Sequence, residues 1–329
     1  MFVMVDIFYV FITMLILLAL KISLDSQSIF QGNLNMNVRT LFIILNQDRY
    51  HYYNYHNYVA NYDDIVCFYD HTGRVPDKRT LPDNVKVIQS IANFSFEYII
   101  DELREVANNY QEICFVCSEE KYFMLAAQLR ECFKSKGINF ETSKFFRDKI
   151  YMKSQVNKMG FRVPKYFSLS SETCYDDVVS HLHTNCFVIK PIDGHGARDT
   201  YIVTTESDFK QLNLVDIEAY EAEEFIDGCL YHIDSVLHNG KVLYGVPFEY
   251  SYPCIEYKSG KVISSLELEE SNPLFDKLMN YNEALLGNID GTHVIHLEVF
   301  VKGEDFIFLE IAGRPPGGGL SPEGSPQLA

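Results

Sequence analysis

Short, mainly apolar runs recur along the first part of the chain. Thr40 to Leu45 reads Thr-Leu-Phe-Ile-Ile-Leu, and Ile65 to Tyr69, Val85 to Ile88 and Ile113 to Val116 repeat the pattern at roughly regular spacing. Runs of this length without polar alternation suit strands buried on both faces, as in a parallel sheet. Between them the period becomes helical. Phe96 to Asn108 is one candidate helix, and Lys121 to Phe133 is another, with Leu125, Ala126, Leu129 and Cys132 on one face. Strands alternating with helices predict an α/β layer over about residues 36 to 140.

The pattern then changes. A helix is predicted from Lys149 to Met159, stopped by Gly160 with Pro164 soon after. Phe187 to Lys190 and Tyr201 to Val203 bracket Pro191 to Thr200, a hairpin with a glycine-bearing tip. After Ala222 strands dominate: Tyr231 to Leu237, Lys241 to Pro247, His293 to Val301 and Asp305 to Glu310. The expected architecture is therefore α/β followed by α+β with an antiparallel sheet, the second domain covering 141–320 and a polar tail 321–329.

Residues 1–35 stand apart. Phe2 to Leu20 is almost wholly apolar, long enough for a signal peptide or membrane anchor. No basic residue precedes it, and Asp6 is costly within a bilayer. The other reading starts the functional domain near Met36, where Met36-Asn37-Val38-Arg39 leads into a strand. Any membrane contact is expected only through residues 2–20.

The chain of 329 residues is 47% hydrophobic, enough for full cores, and carries a net charge of −17. That charge argues against a nucleic-acid partner held through its phosphates. The aromatic and histidine-rich segment Tyr50 to Tyr58 has almost no basic residues with it, so it reads as a cover over the sheet and not a base-stacking platform. Of eight cysteines, only Cys114 and Cys117 are close in sequence, within an apolar run. No second pair completes a zinc pattern, and nothing resembles a secreted disulfide framework. Unpatterned cysteines fit a reducing, cytoplasmic location, although Asn93-Phe94-Ser95 is a glycosylation sequon.

Chemistry concentrates late in the chain. The loop Asp193-Gly194-His195-Gly196-Ala197-Arg198 follows Lys190-Pro191. Glycines let backbone N–H groups approach phosphate oxygens, and the lysine adds a fixed positive charge. Glu298 and Glu310 sit on two strands joined by a short turn at Gly303, each among apolar neighbours. Inward-facing carboxylates on paired strands are unfavourable unless they hold a cation, for which Mg²⁺ is suited. The plainer alternative puts one glutamate at an exposed edge and the other in a salt bridge. Next comes Gly313-Arg314-Pro315-Pro316-Gly317-Gly318-Gly319, where a guanidinium beside exposed backbone suits a carboxylate or a developing oxyanion.

Taken in order, these segments resemble an ATP-grasp domain. Phe146-Arg147-Asp148-Lys149, Gly160 with Val163-Pro164, and Val188-Ile189-Lys190-Pro191 are similar to its opening. Glu223-Glu224-Phe225-Ile226-Asp227-Gly228, followed by His232-Ile233-Asp234, is similar to its adenine-binding linker. His296-Leu297-Glu298 and Glu310-Ile311-Ala312-Gly313-Arg314 are similar to its metal-binding strands. The resemblance covers about residues 110 to 319 and is nearest to carboxylate–amine ligases of the amino-acid or dipeptide kind. It implies ATP and Mg²⁺ (or Mn²⁺) as cofactors and a small-molecule carboxylate and amine as substrates, the carboxylate being activated as an acyl phosphate with release of ADP and phosphate. The preceding α/β segment then corresponds to the small N-terminal domain of such enzymes.

By the same resemblance, Lys149 and Lys190 contact ATP phosphates, with Lys190 also near the adenine, and the loop Gly194 to Arg198, which includes His195, Gly196 and Ala197, closes over the phosphates. Glu223 accepts from the adenine amino group, while Glu224, Phe225 and Ile226 line the purine edge. Glu298 and Glu310 bind the metal, and Arg314 steadies the acyl phosphate, with Gly317 and Gly318 beside the substrate. Three features depart from the pattern. Leu230 replaces a ribose-binding glutamate, Ala312 replaces an asparagine, and the chain reads as truncated after the triple glycine. These departures favour one alternative, a non-catalytic ATP-binding or interaction protein; a small-molecule kinase is a separate runner-up.

Overall fold

The computed structural model describes residues 39–46, 63–69, 75, 77, 79, 81–90, 94–117, 119–194 and 196–316. The apolar run 2–20, the aromatic segment 50–58, Asn93, His195, Gly317 and Gly318 lie outside them. The chain divides into two compact units, one of residues up to Ser143 with Gly291–Val294, the other of Lys144–Asp290 and the residues from Ile295. No helix among the described residues is long and apolar enough to cross a membrane.

In the first unit, β1 (Thr40–Asn46), β2 (Asp64–Tyr69), β3 (Val85–Gln89), α1 (Phe96–Leu103), β4 (Glu112–Cys117) and α2 (Phe123–Phe133) follow one another. The strands form a parallel sheet in the order β3-β2-β1-β4. Alternate residues of β1 serve opposite faces. Leu41, Ile43 and Leu45 pack with Ile99 and Leu103 of α1 and with Ala126 and Leu129 of α2. Phe42 and Ile44 pack with Ile65, Cys67, Val87 and Cys114. Both faces are thus dry, which is why these strands read as unbroken apolar runs.

Two helix expectations need correction. The helix from Phe96 ends at Leu103, and Ala107–Asn109 forms a separate 3₁₀ turn. Asn108 and Asn109 side chains compete with helical backbone hydrogen bonds, which favours such a break. In α2, Cys132 is exposed, and Arg130 is buried in its place. The Arg130 guanidinium donates to the carbonyls of Phe115 at 2.8 Å and Ile138 at 3.1 Å, so a charged residue caps backbone acceptors from inside the unit.

The second unit opens with α3 (Lys149–Lys158), whose first turn is capped by the Asp148 carboxylate accepting from the Tyr151 N–H at 2.9 Å. It ends before Gly160, which takes a left-handed φ of +90°. Then come β5 (Tyr166–Ser168), α4 (Tyr175–Leu182), β6 (Phe187–Pro191), β7 (Tyr201–Val203), α5 (Glu206–Gln211) and β8 (Tyr220–Glu224). These strands form an antiparallel sheet ordered β5-β8-β6-β7, including the expected β6–β7 hairpin. A second sheet follows, built from β9 (Cys229–His238), β10 (Lys241–Tyr250), β11 (Ser265–Glu267), β12 (Thr292–Lys302) and β13 (Asp305–Ala312), with α6 (Phe275–Leu286) between β11 and β12. Its order is β11-β10-β9-β12-β13. Strands β5, β8 and β11 and helices α4, α5 and α6 had no clear signature in the apolar pattern.

Candidate active site

The β12–β13 hairpin places Glu298 directly opposite Glu310. Immediately after this pair the register shifts, Val299 facing Phe308, so one extra residue is accommodated in β13. The two side chains are 15% and 23% exposed, neither core nor free surface. Like charges directly opposite on paired strands repel, which calls for a cation between or beside them. Lys149 supplies one, its Nζ lying 3.5 Å from Glu310 Oε1. The plainer sequence alternative is therefore half realised: Glu310 has its ion pair on the edge strand β13, but neither glutamate is fully exposed.

Lys149 also ties this hairpin to the glycine loop. Its Nζ donates to the Gly194 carbonyl at 2.7 Å, and its backbone N–H donates to the Ile192 carbonyl at 3.1 Å. Arg147 donates to the Asp193 carbonyl. The foot of the loop is thus anchored by the start of α3, while Gly196, Ala197 and Asp199 further along take φ values of +65°, +54° and +50°. A left-handed alanine or aspartate is strained by about 1 kcal/mol, so this loop is shaped by more than local preference.

Lys190 and Glu223 meet inside the unit. Lys190 Nζ lies 2.9 Å from Glu223 Oε1 and 4.0 Å from Glu221 Oε1. A lysine the motif reading did not single out, Lys153, completes the group, with its Nζ 2.5 Å from both Glu221 Oε1 and Glu223 Oε2. All four side chains are buried. Burial alone pushes both carboxyls up. For Glu223 the charges of Lys153 and Lys190 and their hydrogen bonds outweigh it and bring the carboxyl down to about 2. For Glu221 burial prevails and its carboxyl is raised. On Lys190 burial works downward, but Glu223 and Glu221 outweigh it and the ammonium is held above its ordinary value. Both Glu223 oxygens are thus engaged by lysines, where the resemblance expected an acceptor for adenine. The signal for Lys153 was its position one helical turn beyond Lys149.

The rest of the linker is structurally committed as well. The Glu224 N–H donates to the Lys165 carbonyl at 2.8 Å, and its Oε2 accepts from the Lys165 N–H at 3.1 Å. Its contact with a base is thereby narrowed to the carbonyl. Phe225 is half-buried, and Ile226 packs with Leu230, Phe300 and Ile307 in an apolar cluster. Leu230, at the position of a ribose-binding glutamate, is a core residue only 2% exposed. Arg314 is half-buried and donates to the Pro315 carbonyl at 2.7 Å. Ala312, opposite His296 in the register, is buried and brings no side-chain donor.

Sequence reading missed the polar group beneath Glu298. His232 and Asp234 on β9, His296 on β12 and Tyr250 at the end of β10 converge there. His296 Nδ1 lies 2.7 Å from Asp234 Oδ1, and its Nε2 lies 3.3 Å from Glu298 Oε1. The Tyr250 hydroxyl donates to the same Glu298 oxygen at 3.1 Å. His232 stacks on Phe248 with ring centroids 4.7 Å apart and places Nε2 2.5 Å from Ser265 Oγ. Both ring nitrogens of His296 face carboxylates, an arrangement that favours the imidazolium, in which both donate. Burial works to lower it, but the Asp234 charge and hydrogen bond, with Glu298, raise it to about 9. Burial would raise Asp234, yet His296 and His232 take it down to about 2. Glu298 is likewise held low by His296, His232 and Tyr250 against the opposing effect of burial.

One ligand atom each from His232, Asp234 and His296 falls within 4.8 Å of the others. The 2.7 Å His296–Asp234 contact is nevertheless a hydrogen bond, since ligand atoms around a tetrahedral zinc stand about 3.3 Å apart. The hard, paired carboxylates of Glu298 and Glu310 fit a magnesium ion better.

No family model matches the chain. Among curated proteins it is similar to an L-arginine-specific L-amino acid ligase of Bacillus subtilis, 23% identical over 219 residues. That match takes in 63% of this chain and 52% of the relative, so the chain spans about half the length of the curated relative it matches. Among solved structures it resembles an L-amino acid ligase from Bacillus licheniformis, with TM-score 0.61, 15% identity, and coverage of 85% of this chain and 68% of that one. It also resembles an N5-carboxyaminoimidazole synthetase from Staphylococcus aureus complexed with ADP, with TM-score 0.62, 13% identity, and coverage of 87% and 73%. The chain has the ATP-grasp fold. In ATP-grasp terms, the β5-β8-β6-β7 sheet together with α3 carries the lysine–glutamate cluster and the glycine loop, and the β12–β13 hairpin carries the carboxylate pair. The first unit is the parallel α/β layer ahead of them, as the alternating pattern predicted.

Proposed function

We propose that the chain is an ATP-dependent ligase that activates a carboxylate as an acyl phosphate for attack by an amine. The observation that carries this reading is the cross-strand pair Glu298–Glu310 with Lys149 at 3.5 Å and the anchored glycine loop beside it. On this reading residues 141–320 form the catalytic domain and 36–140 the domain ahead of it. Glu298 and Glu310 would hold Mg²⁺, with Mn²⁺ as a substitute, and the ion supplies charge neutralisation at the β- and γ-phosphates. Lys149 and Lys190 would bind phosphate oxygens, and the loop from Gly194 through His195, Gly196 and Ala197 would exclude water from them. Binding there requires Lys149 to exchange the Gly194 carbonyl, and Lys190 part of its hold on Glu223, for phosphate oxygens. Glu224, Phe225 and Ile226 would face the base.

The chemistry is in-line displacement. A carboxylate oxygen attacks the γ-phosphorus, the β–γ bridging bond breaks and ADP leaves. The amine nitrogen then attacks the acyl carbon, phosphate departs and the amine loses a proton. Arg314 would bind the anionic acyl phosphate, with Gly317 and Gly318 beside it. Such a reaction needs orientation and charge neutralisation more than an acid or base of tuned strength, which suits a site of lysines, glutamates and backbone donors.

A screen of amino-acid pairs, scored by ADP and phosphate release, tests the assignment. ADP formed only when a carboxylate and an amine are both present is the expected result. Nucleotide binding without turnover would replace the ligase by a binding module, the reading that Ala312 and Leu230 favour, and ADP formed with a single acceptor would replace it by a kinase. In calorimetry, Lys190→Ala should weaken ATP binding about 10-fold or more, the worth of one charged hydrogen bond. Unchanged affinity removes Lys190 from the site. We place this activity in the cytoplasm, where expression of the full chain should give no glycosidase-sensitive mass shift; a shift abolished by Asn93→Gln would move it to a secretory lumen.

A further inference from the structure

We propose that Tyr250 and the Asp234–His296 pair are positioning residues for the metal, which fill one oxygen of Glu298 and thereby present the other to the cation. This inference rests on the metal-nucleotide reading of the site given above. Two donors from different strands reach the same atom. The Tyr250 hydroxyl, at the end of β10, and His296 Nε2, on β12, lie 3.1 Å and 3.3 Å from Glu298 Oε1. Among the described residues Oε2 has no hydrogen-bond partner, and the side chain is 15% exposed.

Each donor is itself held. His296 is buried and turns its other ring nitrogen to Asp234 Oδ1 at 2.7 Å, and Asp234 comes from β9, the neighbour of β12 in the sheet. A ring fixed at one nitrogen by a buried carboxylate cannot swing its other nitrogen away. Tyr250 packs against the apolar cluster of Ile226, Leu230, Phe300 and Ile307, and tilts over the His232 ring at a centroid distance of 4.7 Å. Two donors from β10 and β12 thus converge on a single carboxylate oxygen, and a third strand, β9, holds one of them in place. A glutamate side chain has three rotatable bonds, and an unheld one would chelate a cation through both oxygens or turn away. Filling Oε1 removes both options and makes Glu298 a one-oxygen ligand of fixed direction. The device matters more here because Ala312, opposite His296, adds no donor of its own.

Groups of this kind usually contribute about 10- to 100-fold in metal affinity or activity. A purely structural network would instead lower stability and leave metal affinity alone. The test uses Mn²⁺ as probe on the full chain, with free Mn²⁺ followed by electron paramagnetic resonance in the presence of saturating ADP. Tyr250→Phe deletes one hydroxyl, and His296→Gln keeps a donor but loses the Asp234 anchor. Each is expected to weaken Mn²⁺ binding about 10- to 100-fold, with metal-free ADP affinity, read by calorimetry, unchanged. If both variants fold and hold Mn²⁺ as tightly as the parent, the proposal is overturned. Should His296→Gln not fold, Tyr250→Phe alone decides. Absence of any Mn²⁺–ADP binding in the unmodified protein is a different result, which overturns the nucleotide-site reading and this inference with it.

Discussion

Lys153 sits between two carboxylates that the protein treats in opposite ways. Both are buried on β8, two residues apart, and both touch the same ammonium. Glu223 has a second cation in Lys190 at 2.9 Å, whereas Glu221 has Lys190 only at 4.0 Å. The second close cation is what tips the balance against desolvation. With its carboxyl lowered to about 2, Glu223 adds stability that is complete above the ordinary carboxylate value and disappears as pH falls toward 2. Glu221, raised, has the opposite sign: it favours the fold at low pH, and that contribution is lost as pH rises through its folded value. At neutral pH, Glu223→Gln should therefore destabilise the protein by about 3 kcal/mol or more, the cost of leaving buried charge unpaired. Glu221→Gln should be neutral or stabilising. Urea unfolding at pH 7 measures both. Repeating it toward pH 3 should narrow the gap between Glu223→Gln and the parent, and a gap that widens would refute the assignment.

Strand β8 also shows where the sequence stopped being legible. Tyr-Glu-Ala-Glu-Glu has the polarity of a surface loop, yet its second, third and fourth residues are buried in the middle of a sheet. Apolar periodicity cannot find a strand whose inward side chains are acids, because their partners lie on α3 and β6, 33 to 70 residues away in the chain. The β1–β4 sheet was readable for the converse reason: burial on both faces of its central strands leaves them mainly apolar. At the site, Glu298 and Glu310 were visible as acids in apolar strands, and the glycine loop by its composition. His296 was visible only as part of a family motif, and its link to Asp234 needed the pairing of β9 with β12. Another element-level constraint was also hidden. Gly313 follows β13, and a Cβ there would stand 2.7 Å from Phe146 Cδ2, a ring only 1% exposed. Gly313→Ala should cost about 1–3 kcal/mol by overpacking, measurable as a lowered denaturation midpoint with an unchanged slope. Since Arg314 is the next residue, the same variant should also weaken substrate-dependent ADP release.

Taken whole, the molecule carries a charge of −17 yet gathers Lys149, Lys153 and Lys190 in one unit, a local concentration of positive charge within an acidic chain. Its eight cysteines are all free thiols. Cys132, Cys174 and Cys229 are exposed, while Cys67 and Cys114 are buried and burial raises their thiols. Thiol labelling of the native protein should therefore modify three sites quickly, mapped by mass spectrometry to those positions, and all eight after denaturation; rapid native labelling of Cys67 would contradict the first-unit core. The bulge that follows Glu298 has a wider consequence. Because strand register, and not a loop, sets the two glutamates face to face, lengthening or recomposing the connections around them leaves their spacing untouched. On the ligase reading proposed above, descent with variation could then exchange what is joined to what while the carboxylate pair is inherited unchanged. Even loss of Leu309, the extra residue of the bulge, would leave Glu298 facing Glu310, so this position can be given up in descent without parting the pair.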